Sequence, residues 1–174
     1  MSNSQSPITT LHQLLDYDVC RFASSEVQLQ KKLPEWAGRA SSLKLKTLIQ
    51  KYADLVSRQQ QQLDRFIEEE NINQLPLFSR IMQAFILDTE DRLIRCSDPE
   101  VTDACLLACI QGINHYKISA YGTAAAFAHA LGMDAPATVF REAEVKEKQM
   151  DDRLSQLAEY EINLKARAPI VLPG

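Results

Sequence analysis

Four long apolar stripes in this sequence are each interrupted by a residue that could do chemistry. Glu26 falls in the run Phe22, Glu26, Leu29, Leu33, and Tyr52 lies between Leu48 and Leu55. Glu147 follows Phe140 and Ala143 and precedes Leu154. The fourth interruption is Lys117, in a stripe made of Leu106, Ile110, Ile113, Ala120, Ala124, Phe127 and Leu131. Helical bundles that carry chemistry place inward polar side chains on opposed helices, so these four positions are the informative ones. An ammonium group taken out of water costs several kcal/mol unless it is paired, so Lys117 should meet a carboxylate or lose its proton. Glu26 and Glu147 are the candidate partners. The opposing reading is that Lys117 snorkels to the rim of a bundle while both glutamates sit on the shoulders of their stripes, facing water.

Other reactive side chains give weaker patterns. His115 lies on a neighbouring face of small residues with Cys105, Ala108, Gly112 and Ser119, flanked by Tyr116 and Tyr121, where a hydrogen-bonded packing role competes with metal ligation. His12 has Asp16 one helical turn on, the spacing of a surface ion pair, and His129 has no acid three or four residues later. Cys20, Cys96, Cys105 and Cys109 form no CxxC pair, so they read as reduced thiols, and Cys105 and Cys109 as small apolar residues of one helix with a soft-metal reading held in reserve. The run Gln59 to Gln62 reads as a solvated face.

The elements that must position these residues are helices. A first stripe, Leu11, Leu15, Val19, Phe22, Leu29 and Leu33, follows capping residues Thr9 and Thr10 and extends over about residues 10–40, with Pro34 either ending or kinking the helix. Ser41 and Ser42 offer a cap for a second helix over about 43–70, with Leu45, Leu48, Tyr52, Leu55, Gln59 and Phe66 on its stripe. Phe78, Ile81, Met82, Phe85 and Ile86 predict a short accessory helix inside a long crossover. Ser97 to Glu100, reading SDPE, starts a third long helix over about 98–131, with Gly132 as a left-handed cap, and a fourth follows over about 135–164. The tight turn between these two makes them antiparallel neighbours. An extended tail over 165–174, with Pro169 and Pro173 around an apolar segment, should dock on the body or on a second subunit.

Composition agrees with one all-α domain spanning residues 1–174. Of 174 residues, 45% are hydrophobic and 24% charged, enough for a core, while 5 Gly and 7 Pro leave little turn chemistry for a β-rich fold. A net charge of -4 with both signs mixed offers no basic stripe for phosphates, so nucleic acid is not an expected partner. The N-terminus lacks the basic and apolar regions of a signal peptide and no apolar run reaches the length of a membrane span, which points to a cytoplasmic protein without a membrane partner. Exposed apolar residues in the accessory helix and tail favour a homodimer.

Three segments carry a family resemblance: KKLPEWAGRASSLKLK, VTDACLLACIQGINHYKISAYGTAAAFAHALG and EKQMDDRLSQLAE. Over most of its length the chain resembles the YciE/YciF-like bacterial stress-associated proteins of the ferritin-like superfamily. Their pattern DxxxLxxxxxxEHYExxxYG is matched here by INHYKISAYG, which keeps His115, Tyr116, Tyr121 and Gly122. The resemblance implies a ferritin-like four-helix bundle and a stress-related role.

The same resemblance implies acidic positions for two metal ions, and the departures fall on them. Glu26 matches the family's glutamate before the Leu-Pro dipeptide, here Leu33 and Pro34. Tyr52 and Leu55 stand where the second helix would carry a histidine and a glutamate, and Asn114 and Lys117 replace both glutamates of EHYE. His115, Glu147 and Asp151 remain. A dinuclear carboxylate site needs roughly four acids and two imidazoles, more than this set supplies. The expectation is therefore a non-catalytic protein without metal or cofactor, with a core network of Glu26, Tyr52, His115, Lys117, Glu147 and Asp151. Two alternatives stand beside it: a reduced, mononuclear metal site using Glu26, His115, Glu147 and Asp151, and a small-ligand site in the bundle core.

Overall fold

The computed structural model describes residues 7–73 and 78–167, and every regular element among them is helical. The long helices are α1 (Leu11–Arg39), α2 (Leu43–Glu69), α4 (Pro99–Ala130) and α5 (Asp134–Leu157), with the shorter α3 (Arg80–Arg95) in the crossover. A π-helical turn, Ala158–Ile162, and α6 (Asn163–Ala166) extend α5. The α1/α2 and α4/α5 hairpins pack into a helical bundle through α1 against α4 and α2 against α5, and α3 lies on α1 and α4.

Local chemistry sets the helix ends. Thr10 opens α1 with a capping box: its hydroxyl accepts from the Gln13 amide at 3.1 Å, and the Gln13 side chain accepts from the Thr10 amide at 3.2 Å. Asp98 caps α4 by accepting from the amides of Glu100 and Val101, with Pro99 in the first turn where no amide is needed. The start of α2 is held from a distance, because both carboxylate oxygens of buried Asp103 on α4 accept from the amides of Ser41 and Ser42, each at 2.8 Å. Gly132 takes φ +70 after α4, as a left-handed cap requires.

Pro34 does not end α1, which runs on to Arg39. A proline inside a helix costs about 3 kcal/mol. The burial of Leu33, Trp36 and Ala37 beyond or beside it offsets that, and the Trp36 indole donates to Glu90 of α3 at 2.8 Å. The C-terminal boundary also moves: the chain stays helical through Ala166, so Lys165 and Ala166 belong to a helix and not to an extended tail. Leu154, Ala158 and Ile162 are spaced by fours, which drifts off the face of a 3.6-residue helix, and the wider π-helical turn keeps Ala158 and Ile162 buried. The expected docking of the tail concerns residues 168–174, which lie outside the described residues. The accessory helix starts at Arg80, after the Ser79 cap, so Phe78 precedes it and is exposed, as is Ile81, while Met82 and Leu93 are buried.

Candidate functional site: a buried lysine between two glutamates

The long helices each send a polar group to the middle of the bundle. Periodicity explains the convergence: on α4, Asn114, Lys117 and Tyr121 are three and four residues apart and share one face, and on α2, Tyr52 and Gln59 are two turns apart. Glu26 from α1 and Glu147 from α5 complete the group, and none of these seven residues is more than 2% exposed.

Lys117 is at the centre. Its Nζ lies 2.8 Å from Glu147 Oε1 and 3.2 Å from Glu26 Oε1, donates to Gln59 Oε1 at 3.0 Å, and sits 4.9 Å from the centroid of the Tyr52 ring. Glu147 Oε2 accepts from Tyr52 Oη at 2.7 Å and from Asn114 Nδ2 at 2.7 Å, and the same amide reaches the Glu147 carbonyl at 3.0 Å. Tyr121 donates to Glu26 Oε1 at 3.3 Å, its ring held edge-on by Phe22. Ion pairing, hydrogen bonds and a cation over an aromatic face together meet the cost of burying this ammonium.

The charges do not cancel when all three groups are ionised: two carboxylates face one ammonium. Burial, opposed by Lys117 and reinforced by Glu147, pushes the Glu26 carboxyl up to about 7. Glu26 Oε2 has no hydrogen-bond partner among the described residues, a vacancy cheaper for a neutral carboxyl than for a carboxylate. Glu26 is therefore where a proton enters to bring the group to neutrality. Burial, with the neighbouring carboxylates, also holds Tyr52 and Tyr121 well above the usual phenol range, so both stay protonated donors.

Four of the residues expected in the core network meet there: Glu26, Tyr52, Lys117 and Glu147. His115 and Asp151 do not. They pair with each other at 2.9 Å on the outside of the α4/α5 hairpin, where the His115 side chain is 64% exposed. His115 follows Asn114, so when Asn114 faces inward the next side chain is turned about 100° away. Asp151, one turn beyond Glu147, falls on the edge of the buried face marked by Met150 and Leu154. Gln59, Asn114 and Tyr121 join the network instead. Gln59 corrects the solvated reading of the glutamine run, and its signal was its place on the α2 stripe two turns after Tyr52. Gly122, beside Tyr121, permits a close approach: a Cβ there would lie 3.2 Å from the carboxyl carbon of Glu144, a buried acid paired with Arg141 and Lys148.

Among the described residues, no three His, Cys, Asp or Glu side chains are arranged to hold a metal ion. No described helix is long and apolar enough to cross a membrane.

The family model described as a domain of unknown function, DUF892, matches residues 10–167. The chain belongs to the DUF892 family. It is similar to protein YciF of Escherichia coli strain K12, with 29% identity over 144 residues covering 82% of this chain and 87% of the relative. The crystal structure of the E. coli stress protein YciF matches with a TM-score of 0.83 at 28% identity, covering 90% of this chain and 99% of the other. YcfI of Rhodopseudomonas palustris shares the fold, with a TM-score of 0.80 at 24% identity over 89% of this chain and 97% of the other. The relationship read from INHYKISAYG to the YciE/YciF-type proteins thus extends over nearly the whole described chain.

Proposed function

We propose that this member of the DUF892 family is a non-catalytic, stress-associated protein of the ferritin-like type, in which Lys117 takes the place of metal charge between Glu26 and Glu147. The observation that carries the reading is the position of the Lys117 ammonium, within 3.2 Å of a carboxylate oxygen from each of two opposed helices. A cation seeking those oxygens meets a fixed positive charge, and the second Glu147 oxygen is committed to Tyr52 and Asn114. The residues present therefore do not fit a dinuclear centre. Nor do the four groups of a mononuclear alternative converge, since His115 and Asp151 face outward. In this reading the network is a structural device that fixes the register of four helices, a role best attested for buried polar groups elsewhere. The similarity to a protein described as a stress protein supports a stress-related setting, and cytoplasmic residence and a homodimer accompany the proposal.

The test is metal loading. Protein purified without chelator and then exposed to ferrous iron in air should retain less than one iron per chain by elemental analysis and show no ferroxidase turnover. Two tightly held irons per chain would overturn the proposal.

A further inference from the structure

A cavity of about 200 Å³ lies at the seam between the two hairpins, where α1 faces α4. Short side chains make it: α4 brings Ser119, Ala120, Thr123 and Ala124 to the seam, and these do not fill the space opposite Phe22. Its floor and its mouth differ in chemistry. Leu63 of α2 and Val19 and Phe22 of α1 are buried at the bottom, with Tyr121 of α4. At the mouth Ser119 and Thr123 are exposed, and Asp18 and Arg21 are half-buried. The aromatic wall is already set, because Phe22 meets Tyr121 edge-on at 4.8 Å and Tyr116 at 5.9 Å between centroids. Tyr121 is the residue that the cavity shares with the Lys117 network, and its hydroxyl is committed to Glu26.

We propose that this cavity binds a neutral molecule of one aromatic ring that carries a hydrogen-bond donor, phenol being the simplest case. Size sets the first limit. A cavity of about 150 Å³ holds benzene, so this one has room for a single substituted ring. The wall sets the second, because an aromatic ring packs against Phe22, Tyr116 and Tyr121 with more than the gain from buried area. The mouth sets the third. Asp18 lies 3.6 Å from the Arg21 guanidinium, beyond hydrogen-bond distance, and Arg21 also lies over the Tyr17 ring, 5.7 Å from its centroid. Burial raises the Asp18 carboxyl above its ordinary range, with Arg21 opposing it, so this carboxylate has lost water and gains from an entering O–H. The opposite charges of Asp18 and Arg21 offset each other at the mouth, which favours a neutral donor over either ion. The site uses none of the ion pairs of Lys117, so it stands apart from the metal test above.

The experiment titrates phenol into isotope-labelled full-length protein and follows the amide shifts by NMR. Saturable shifts are expected around Val19, Phe22, Ala120 and Ala124, with a Kd of about 1 mM or tighter, as befits a ligand of so few atoms. Benzene should bind more weakly than phenol, and benzoate, an anion beside Asp18, more weakly still. Asp18→Asn keeps the shape of the mouth and should weaken phenol about fivefold while leaving benzene unchanged. Ala124→Leu fills the cavity and should abolish binding of both. The Asp18→Asn comparison decides the matter even where Ala124→Leu fails to fold. Three results would each overturn the site: shifts that do not saturate by about 10 mM phenol or that fall elsewhere on the protein, benzoate binding as tightly as phenol, or equal phenol affinity in Asp18→Asn and wild type.

Discussion

Lys117 Nζ lies 2.8 Å from Glu147 Oε1, with both side chains fully buried and with Glu26 held against the same ammonium from the opposite hairpin. The consequences are thermodynamic, because each partner's removal leaves a different uncompensated group in the core.

Glu26→Gln keeps the shape of the network and removes its titrating acid. The folded-state value of about 7 lies above the ordinary 4.5, so the folded protein binds this proton more tightly than the unfolded chain does. Glu26 therefore contributes stability that is fully present below about pH 4.5 and lost as pH rises through about 7, on the order of 3 kcal/mol in all. Chemical denaturation at about pH 5 and about pH 8 should show wild type losing more stability across that window than Glu26→Gln does. Equal losses would mean that Glu26 does not titrate there.

Asp103→Ala should loosen the corner between α1 and α2. The variant strands the Ser41 and Ser42 amides that Asp103 satisfies from α4, and a cost of about 2 kcal/mol is expected in urea denaturation. A change under about 0.5 kcal/mol would show that water replaces the carboxylate without loss.

How much of this was legible in the sequence depends on the residue. Lys117 was conspicuous because a lysine in the stripe of Ile110 and Ile113 must either find a carboxylate or lose its proton, and its candidate partners followed from charge. Gln59 and Asn114 carry no charge, and an amide fits a solvated face and a buried network equally well, so residue type did not place them, and for Gln59 the only signal was its position on the α2 stripe. Helical periodicity locates a face only to within tens of degrees, which is why the sequence groups His115, adjacent to Asn114, with Glu26 and Glu147, although it meets only Asp151 of that set. The course of the chain past Ala158 depends on a π-helical turn that a 3.6-residue pattern does not anticipate, and the continuation through Pro34 depends on Trp36 finding Glu90 across the bundle.

Replacing the whole triad tests what the network is for. Lys117→Met together with Glu26→Leu and Glu147→Leu removes every charge and every need for one, leaving Tyr52, Gln59 and Asn114 to find new partners. Such exchanges are often neutral or stabilising by 1–4 kcal/mol in other proteins, a magnitude of about that order. If the triad sets helix register, the triple variant should match or exceed wild type in denaturation while losing dispersion in its amide NMR spectrum. A stable variant with an equally well dispersed spectrum would remove the register role.

Lys117→Met alone is the most direct measurement. It leaves Glu26 and Glu147 facing each other in the core with no cation, so the Glu26 carboxyl, already raised by burial, loses the ammonium that opposed the rise. The variant should lose about 3 kcal/mol or more relative to wild type at pH 7 in equilibrium denaturation. Because raised carboxyls cost stability as pH rises and return it as protons bind, the gap to wild type should narrow toward about pH 5. A Lys117→Met protein as stable as wild type at pH 7, with no pH-dependent difference between the two, would contradict the account.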